Sequence, residues 1–296
     1  MLTSLTDLTL SHTPPAMPAQ AGEGQHPKRM TTHPIIDCHF HLYTTDMPRV
    51  ASAWHQPPFD ATPEGFLEIM DTHGVTFGVI AAASMYGEYN DYTIRATRRH
   101  KRLRGTVILP PDADFYRMER MKEDGIVGIR IFYRHVASAP DLKSAEYQRL
   151  LRRVRDLDWH VHVLAESHDL PAVIEGTETA GVKLVIDHFG RPDPSQGVNA
   201  PGFKAMLAAV ERGNTWVKIS AGYRMPSAQA ARDYATALLR VAGGERLVWG
   251  SDWPFAAFED RVTYADAVAT LADWVQDERV RQQIAGETPL RLYFSD

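Results

Sequence analysis

Cysteine is nearly absent. Cys38 is the only one in the chain, so no disulfide framework within it holds the fold together. Long apolar runs are missing too, and none approaches the ~20 residues that a membrane-spanning helix needs. An excess of positive charge is also lacking. The formal net charge is -5, from 32 Lys and Arg against 37 Asp and Glu, which gives no broad pull toward nucleic acid. No glycine-rich turn follows the first predicted strand, so the phosphate cradle of a dinucleotide-binding sheet is excluded. A secretory signal wants basic residues ahead of an apolar core. Here the only Lys and Arg before residue 34 are Lys28 and Arg29, so export is not expected and a cytoplasmic location is.

With 44% hydrophobic and 23% charged residues, the composition is that of a soluble globular protein. Residues 1–33 carry Pro14-Pro15 and Ala21-Gly22-Glu23-Gly24 with little periodicity. They read as a flexible leader, with a capping strand or helix as the competing reading and Met30 as a second candidate start. Residues 34–296 read as one domain. Predicted strands lie at 35–41, 77–83, 103–109, 127–132, 158–164, 183–188, 215–220 and 246–250, with amphipathic helices between them. Two closing helices follow near 262–274 and 277–285. Continuous apolar strands suit a sheet buried on both faces. Eight such units in about 260 residues predict an α/β fold, a (β/α)8 TIM barrel; an open doubly wound sheet is the runner-up.

Barrel chemistry sits at the carboxyl ends of the strands, and this chain concentrates polar groups there. Strand one ends in Asp37-Cys38-His39-Phe40-His41, and a strict two-residue period puts Asp37, His39 and His41 on one face. Strand two supplies Ser84 and Tyr86, strand four Arg130 followed by Tyr133, and strand five Glu166, with His162 deeper. Strand six ends in His188, strand seven in Arg224 and strand eight in Asp252. Asp252 fits a general base for water, with an N-cap as the plainer role. His39, His41 and His188 can donate to a carbonyl oxygen that gains charge on attack. Asp37 is expected to hold an imidazole tautomer. Arg130 and Arg224 suit a carboxylate; a salt bridge to a rim acid is the plainer reading of either. Arg134, Arg191 and His135 are weaker candidates. Tyr43, Trp54, Tyr86, Tyr89 and Tyr133 are candidates for a flat wall, and the long segment 43–59 for a cover. Cys38 reads as packing.

Five motifs in this order resemble the amidohydrolase superfamily. They are Asp37-Cys38-His39-Phe40-His41, Gly128-Ile129-Arg130-Ile131-Phe132, Ile186-Asp187-His188-Phe189-Gly190-Arg191-Pro192, Val217-Lys218-Ile219-Ser220-Ala221-Gly222-Tyr223-Arg224 and Val248-Trp249-Gly250-Ser251-Asp252-Trp253-Pro254. The resemblance is to amidohydrolase family 2, in the branch of the 2-pyrone-4,6-dicarboxylate lactonases, over roughly residues 34–293. It implies hydrolysis of a carboxylate-bearing lactone formed during aromatic-compound breakdown. In that role Asp252 activates water, and His39, His41 and His188 polarise the ring carbonyl. Arg130, Arg224 and Ser84 hold substrate carboxylates. Superfamily members with two metals add a bridging Lys or Glu on strand four and a His after strand five, where this chain has Arg130 and Glu166. No cofactor is therefore favoured. The alternative is one divalent ion such as zinc or manganese on His39, His41 and Asp252. Competing functions are a metal-dependent nonoxidative decarboxylase of an aromatic acid, a sugar-acid lactonase and a noncatalytic binder of small acids. The expected partner is a small acidic lactone, with no nucleic acid or membrane, and exposed apolar faces leave room for a homodimer.

Overall fold

A strand with apolar side chains on both faces persists only where both faces are covered, and that requirement sets the architecture. The computed structural model describes residues 33–295 apart from residue 137. Its eight strands are β1 (Ile36–Phe40), β2 (Phe77–Ile80), β3 (Leu103–Val107), β4 (Ile126–Phe132), β5 (His160–Leu164), β6 (Lys183–Ile186), β7 (Thr215–Ser220) and β8 (Leu247–Gly250). They pair in chain order and all in parallel. The chain closes on itself just past the strand ends, where Asp252 N donates to His39 O and His41 N to Trp253 O, both at 2.8 Å. Gly250 makes that approach feasible. A Cβ there would stand 2.5 Å from His39 Cβ and 2.8 Å from its backbone nitrogen, so any larger residue would force the first and last strands apart at the mouth.

The helices that cover the barrel are α1 (Pro63–Thr72), α2 (Asp91–Arg99), α3 (Phe115–Glu123), α4 (Ala145–Asp156), α5 (Leu170–Ala180), α6 (Pro201–Glu211), α7 (Ala228–Ala242), α8 (Tyr264–Trp274), α9 (Glu278–Gln282) and α10 (Thr288–Tyr293). Six of them start on side chains that accept first-turn N–H groups: Thr62, Asp114, Ser144, Ser227, Thr263 and Asp277. Each such cap is worth about 1 kcal/mol. The (β/α)8 expectation holds, and the open sheet is excluded by the consecutive strand order. Several boundaries differ from the sequence reading: β2 stops at Ile80 and β3 at Val107, short of the expected 83 and 109, and β5 starts at His160 and not at 158. β6 stops at Ile186 because His188 and Phe189 turn into the left-handed region, at φ 48° and 57°. α10 lies beyond the two expected closing helices, and its Pro289 stands in the first turn, where no N–H is required.

Most of the core lies between barrel and helices. A separate small cluster joins Ile36, Cys38, Val79, Val248 and Tyr293. Cys38 is wholly enclosed in it and burial pushes its thiol up, so it packs and does not attack. Apart from His33, the leader expected over 1–33 lies outside the described residues. No helix among the described residues is long and apolar enough to cross a membrane.

Candidate active site

Two buried carboxylates organise the mouth, one above the other, with His39 between them. Asp252 follows β8 with a left-handed φ of 65°, a conformation that costs a non-glycine residue about 1–2 kcal/mol and turns its carboxylate inward. Its Oδ2 is taken: Tyr223 OH donates at 2.6 Å and Arg224 Nε at 2.9 Å. Its Oδ1 instead faces three imidazole Nε2 atoms, those of His39 at 3.4 Å, His41 at 3.5 Å and His188 at 3.8 Å. Burial raises the Asp252 pKa, but Arg224, His188, the hydrogen bond with His41 and His39 together outweigh it. The carboxyl stays well below the usual range and ionised. Burial takes His188 down to about 4, against the pull of Asp252 and Asp187. That ring is neutral at pH 7.

The lower carboxylate, Asp187, is engaged on every side. His39 Nδ1 lies 3.1 Å from its Oδ1, His162 bonds the same oxygen, and Arg130 Nη2 donates to Oδ2 at 2.7 Å. Lys218 Nζ is 2.9 Å from His162 Nε2 and 3.8 Å from Asp187 Oδ1. Burial drives Lys218 down to about 8, against Asp187, which raises it. His39 is itself pushed well down by burial, which exceeds the opposing effect of Asp187.

These contacts assign the protons. His41 Nδ1 donates to Ala81 O at 2.7 Å, and His39 Nδ1 points at the Asp187 carboxylate. In a neutral ring the other nitrogen then carries a lone pair. His39 Nε2, wholly buried, has no hydrogen-bond partner among the described residues. The bare Nε2 of His39 thus faces the anionic Asp252 Oδ1, acceptor against acceptor. A cation among them removes the conflict. The donor atoms of His39, His188 and Asp252 all lie within 4.8 Å of one another, as a metal-holding group requires, and His41 Nε2 adjoins the same carboxylate oxygen. The donor set, imidazole nitrogens and a carboxylate, is one that divalent zinc accepts.

Above this floor opens a cavity of about 310 Å³, the size that takes a small ring acid. His41, His188 and Asp252 form its base, and Arg130, Arg134, Arg191 and Arg224 reach its walls. The segment after β1 covers it. Trp54 stacks on His135 with centroids 5.1 Å apart and donates from Nε1 to Ser84 Oγ at 3.4 Å, while His55 is tied to Glu259 at 2.6 Å.

The expected residues divide. His39, His41, His188 and Asp252 converge, and Ser84, Arg130 and Arg224 border the cavity. Arg130 also donates from Nη1 to Ala82 O at 2.7 Å, and Arg224 from Nη2 to Ala256 O at 2.9 Å. Both guanidiniums are thus largely committed to protein groups, though the carboxylates they meet are the buried Asp187 and Asp252 and not rim acids. Three candidates turn away. Tyr86 is buried against Tyr43, Tyr133 OH donates to Pro140 O at 2.8 Å, and Glu166 binds Arg134 and Arg191 beside a neighbouring cleft. Asp37 orients no imidazole. It accepts from the backbone N–H of His39 and Ser251, both at 3.0 Å, and from Tyr264 OH of α8 at 2.9 Å. A register shift between Asp37 and Phe40 breaks the alternation that would align it with His39. Asp187 and Lys218 were missed. The one available signal was a lysine amid the apolar residues of β7, which a strand buried on both faces tolerates only beside an anion.

With this geometry in place, the similarities fall in line. A family model described as amidohydrolase matches residues 36–294. A 4-sulfomuconolactone hydrolase of Hydrogenophaga intermedia is 29% identical over 267 residues, covering 87% of this chain and 88% of that protein. A 2-pyrone-4,6-dicarboxylate hydrolase of Comamonas testosteroni is 25% identical over 282 residues, covering 88% and 90%. Among solved structures, a probable 2-pyrone-4,6-dicarboxylic acid hydrolase of Acinetobacter baumannii with citric acid bound has a TM-score of 0.84. It is 28% identical, with 88% of this chain and 99% of that chain covered. With the match spanning the barrel from its first strand to its last helix, the chain belongs to the amidohydrolase family.

Proposed function

We propose that this chain hydrolyses the ring ester of a small anionic lactone, with Asp252 as the base. The observation that carries the reading is the orientation of Asp252, whose Oδ1 faces the imidazoles of His39, His41 and His188. Oδ2 is saturated by Tyr223 and Arg224, so only Oδ1 can take a proton from water, and it lies at the base of a cavity walled by four arginines. Arg134 and Arg191, beside Glu166 at the rim, fit an incoming carboxylate or sulfonate. Relatives named for a sulfomuconolactone and a pyrone dicarboxylate, and a related structure holding citric acid, support that choice of substrate charge.

His39, His188 and Asp252, with His41 adjoining, would hold one divalent cation. When bound, that ion would polarise the ester carbonyl and lower the pKa of water. The residues themselves do the rest. Asp252 Oδ1 accepts the proton of the attacking water as the new C–O bond forms at the acyl carbon. Arg224 and Tyr223 hold the carboxylate still while its charge changes. The acyl–oxygen bond of the ring then breaks, and the proton held on Asp252 passes to the departing ring oxygen. The product is an open-chain hydroxy or keto acid, and one proton is released at neutral pH as the new carboxyl ionises. The backbone turn at His188 and the Ser220 hydroxyl, 2.8 Å from His188 Nδ1, fix the imidazole over the base. Where the sequence alone weighed toward metal-free chemistry, the lone pair of His39 Nε2 facing Asp252 weighs toward a cation.

A lactone panel followed by proton release, with metal analysis of the same preparation, tests this. Turnover of muconolactone- and pyrone-type acids with none of neutral sugar lactones is expected. Preference for neutral sugar lactones, or carbon dioxide release from an aromatic acid, would overturn it.

A further inference from the structure

Below His39 lies a second set of groups with the chemistry of a metal site. The donor atoms of His39, His162 and Asp187 fall within 4.8 Å of one another, and all three residues are buried. By ligand type this set is as able to hold a divalent ion as the one above it. Yet a positive charge already stands there. Lys218, wholly buried and midway along β7, brings its Nζ to 2.9 Å from His162 Nε2, 3.5 Å from His39 Nδ1 and 3.8 Å from Asp187 Oδ1. The remaining oxygen of Asp187 receives Arg130 Nη2 at 2.7 Å. An ion placed among the three donors would sit in contact with an ammonium and close to a guanidinium, in surroundings that screen charge poorly.

We propose that Lys218 takes the place of a second metal ion. Its ammonium is the resident cation of the His39–His162–Asp187 set and restricts this chain to one metal ion at most, on the Asp252 side of His39. Lys218 is accordingly a positioning residue. It neutralises Asp187, and Asp187 in turn fixes the proton of His39 on Nδ1 and leaves Nε2 free for the site above. Only the upper ion rests on the proposed function; the role of Lys218 in the lower set does not.

Mn²⁺ alone is the probe. Wild type, Lys218→Met and Lys218→Arg are stripped with a chelator and titrated with manganese chloride. Bound metal per chain is then measured by elemental analysis and electron paramagnetic resonance. Lys218→Met is expected to bind one ion more per chain than wild type, and Lys218→Arg the same number as wild type. Where both sets are filled, the six-line signal of isolated Mn²⁺ broadens through the neighbouring spin. If Lys218→Met is unstable when stripped, its melting temperature is expected to rise with Mn²⁺ by more than that of wild type. Equal stoichiometry in wild type and Lys218→Met without that extra stabilisation overturns the proposal, as do two ions in wild type. Zero ions in wild type and one in Lys218→Met would remove the metal from the proposed function and still uphold the role of Lys218.

Discussion

Replacing Asp252 with Asn separates the base from the architecture around it. The amide matches the carboxylate in shape, so its oxygen can still accept from Tyr223 and from Arg224 Nε, now 2.6 and 2.9 Å from Oδ2. Its NH₂ would then point at the lone pair of His39 Nε2, which Oδ1 now faces at 3.4 Å. Repulsion between acceptors becomes hydrogen bonding. Against that gain, Arg224 loses an ionic partner. Breaking a fully buried pair costs about 3–5 kcal/mol. Here, however, Arg224 is 18% exposed and keeps its bond to Ala256 O, so the net change in stability of the metal-free protein should stay within about 2 kcal/mol, or roughly 4–8 °C in melting temperature. Catalysis has no such compensation. General-base removal typically costs 10²–10⁴-fold, which is about 3–5 kcal/mol of barrier. The upper half of that range applies, because Asp187 is held by His39, His162 and Arg130 and cannot substitute. In a proton-release assay at saturating lactone, Asp252→Asn should therefore lose about 10³-fold or more in kcat with KM little changed. A variant that keeps more than about a tenth of wild-type kcat would refute the assignment of the base.

Arg130→Met should damage folding more than binding. Taking one of its two cations from buried Asp187, whose Oδ2 is left without its donor, costs up to about 3–5 kcal/mol, or a melting temperature lower by up to about 10 °C, and a raised KM with unchanged melting would return Arg130 to a substrate role. Acid should destabilise the fold partly through His160, which burial lowers to about 3 from 6.5. Its contribution is complete above pH 6.5 and fades as the unfolded chain takes up the proton below that, reaching about 3 kcal/mol lost near pH 4.5. His160→Gln should flatten that slope in denaturant titrations run across this pH range, and an unchanged slope would disprove it. Stripping the protein with a chelator and restoring Zn²⁺ or Mn²⁺ at about 100 times the dissociation constant should recover about 2.7 kcal/mol of stability together with turnover. Full turnover in the stripped protein would show that the histidines act without an ion.

How far a sequence discloses such a site depends on which physical constraint each residue answers to. The barrel was readable because burial on both faces forces every strand to be apolar, and that pattern does not depend on knowing any neighbour. Asp252 and the three histidines around it were readable because each stands at or just beside the end of a strand, where parallel topology alone brings the ends together. Asp37 was misread for a local reason. The period of two assumes an unbroken ladder, and the register shift after Asp37 sends its carboxylate to Tyr264 and the Ser251 backbone instead of to an imidazole. Arg130 and Arg224 were ambiguous because a guanidinium fits a substrate carboxylate and a protein carboxylate equally well; only the positions of Asp187 and Asp252 separate the two. Lys218 differs in kind. Its flanking residues Val217 and Ile219 are wholly buried, so a charge between them had to have an anion in reach, or burial would have cost far more than the strand could supply. That condition could be stated from the sequence, but the identity of the anion could not. Asp187 lies one residue past β6, and whether it or His188 turns inward is decided by left-handed φ values that two non-glycine residues adopt against their own preference. The pairing of Lys218 with Asp187 therefore follows from burial on one strand and from backbone strain after another, and only the first of these leaves a mark in the residue pattern.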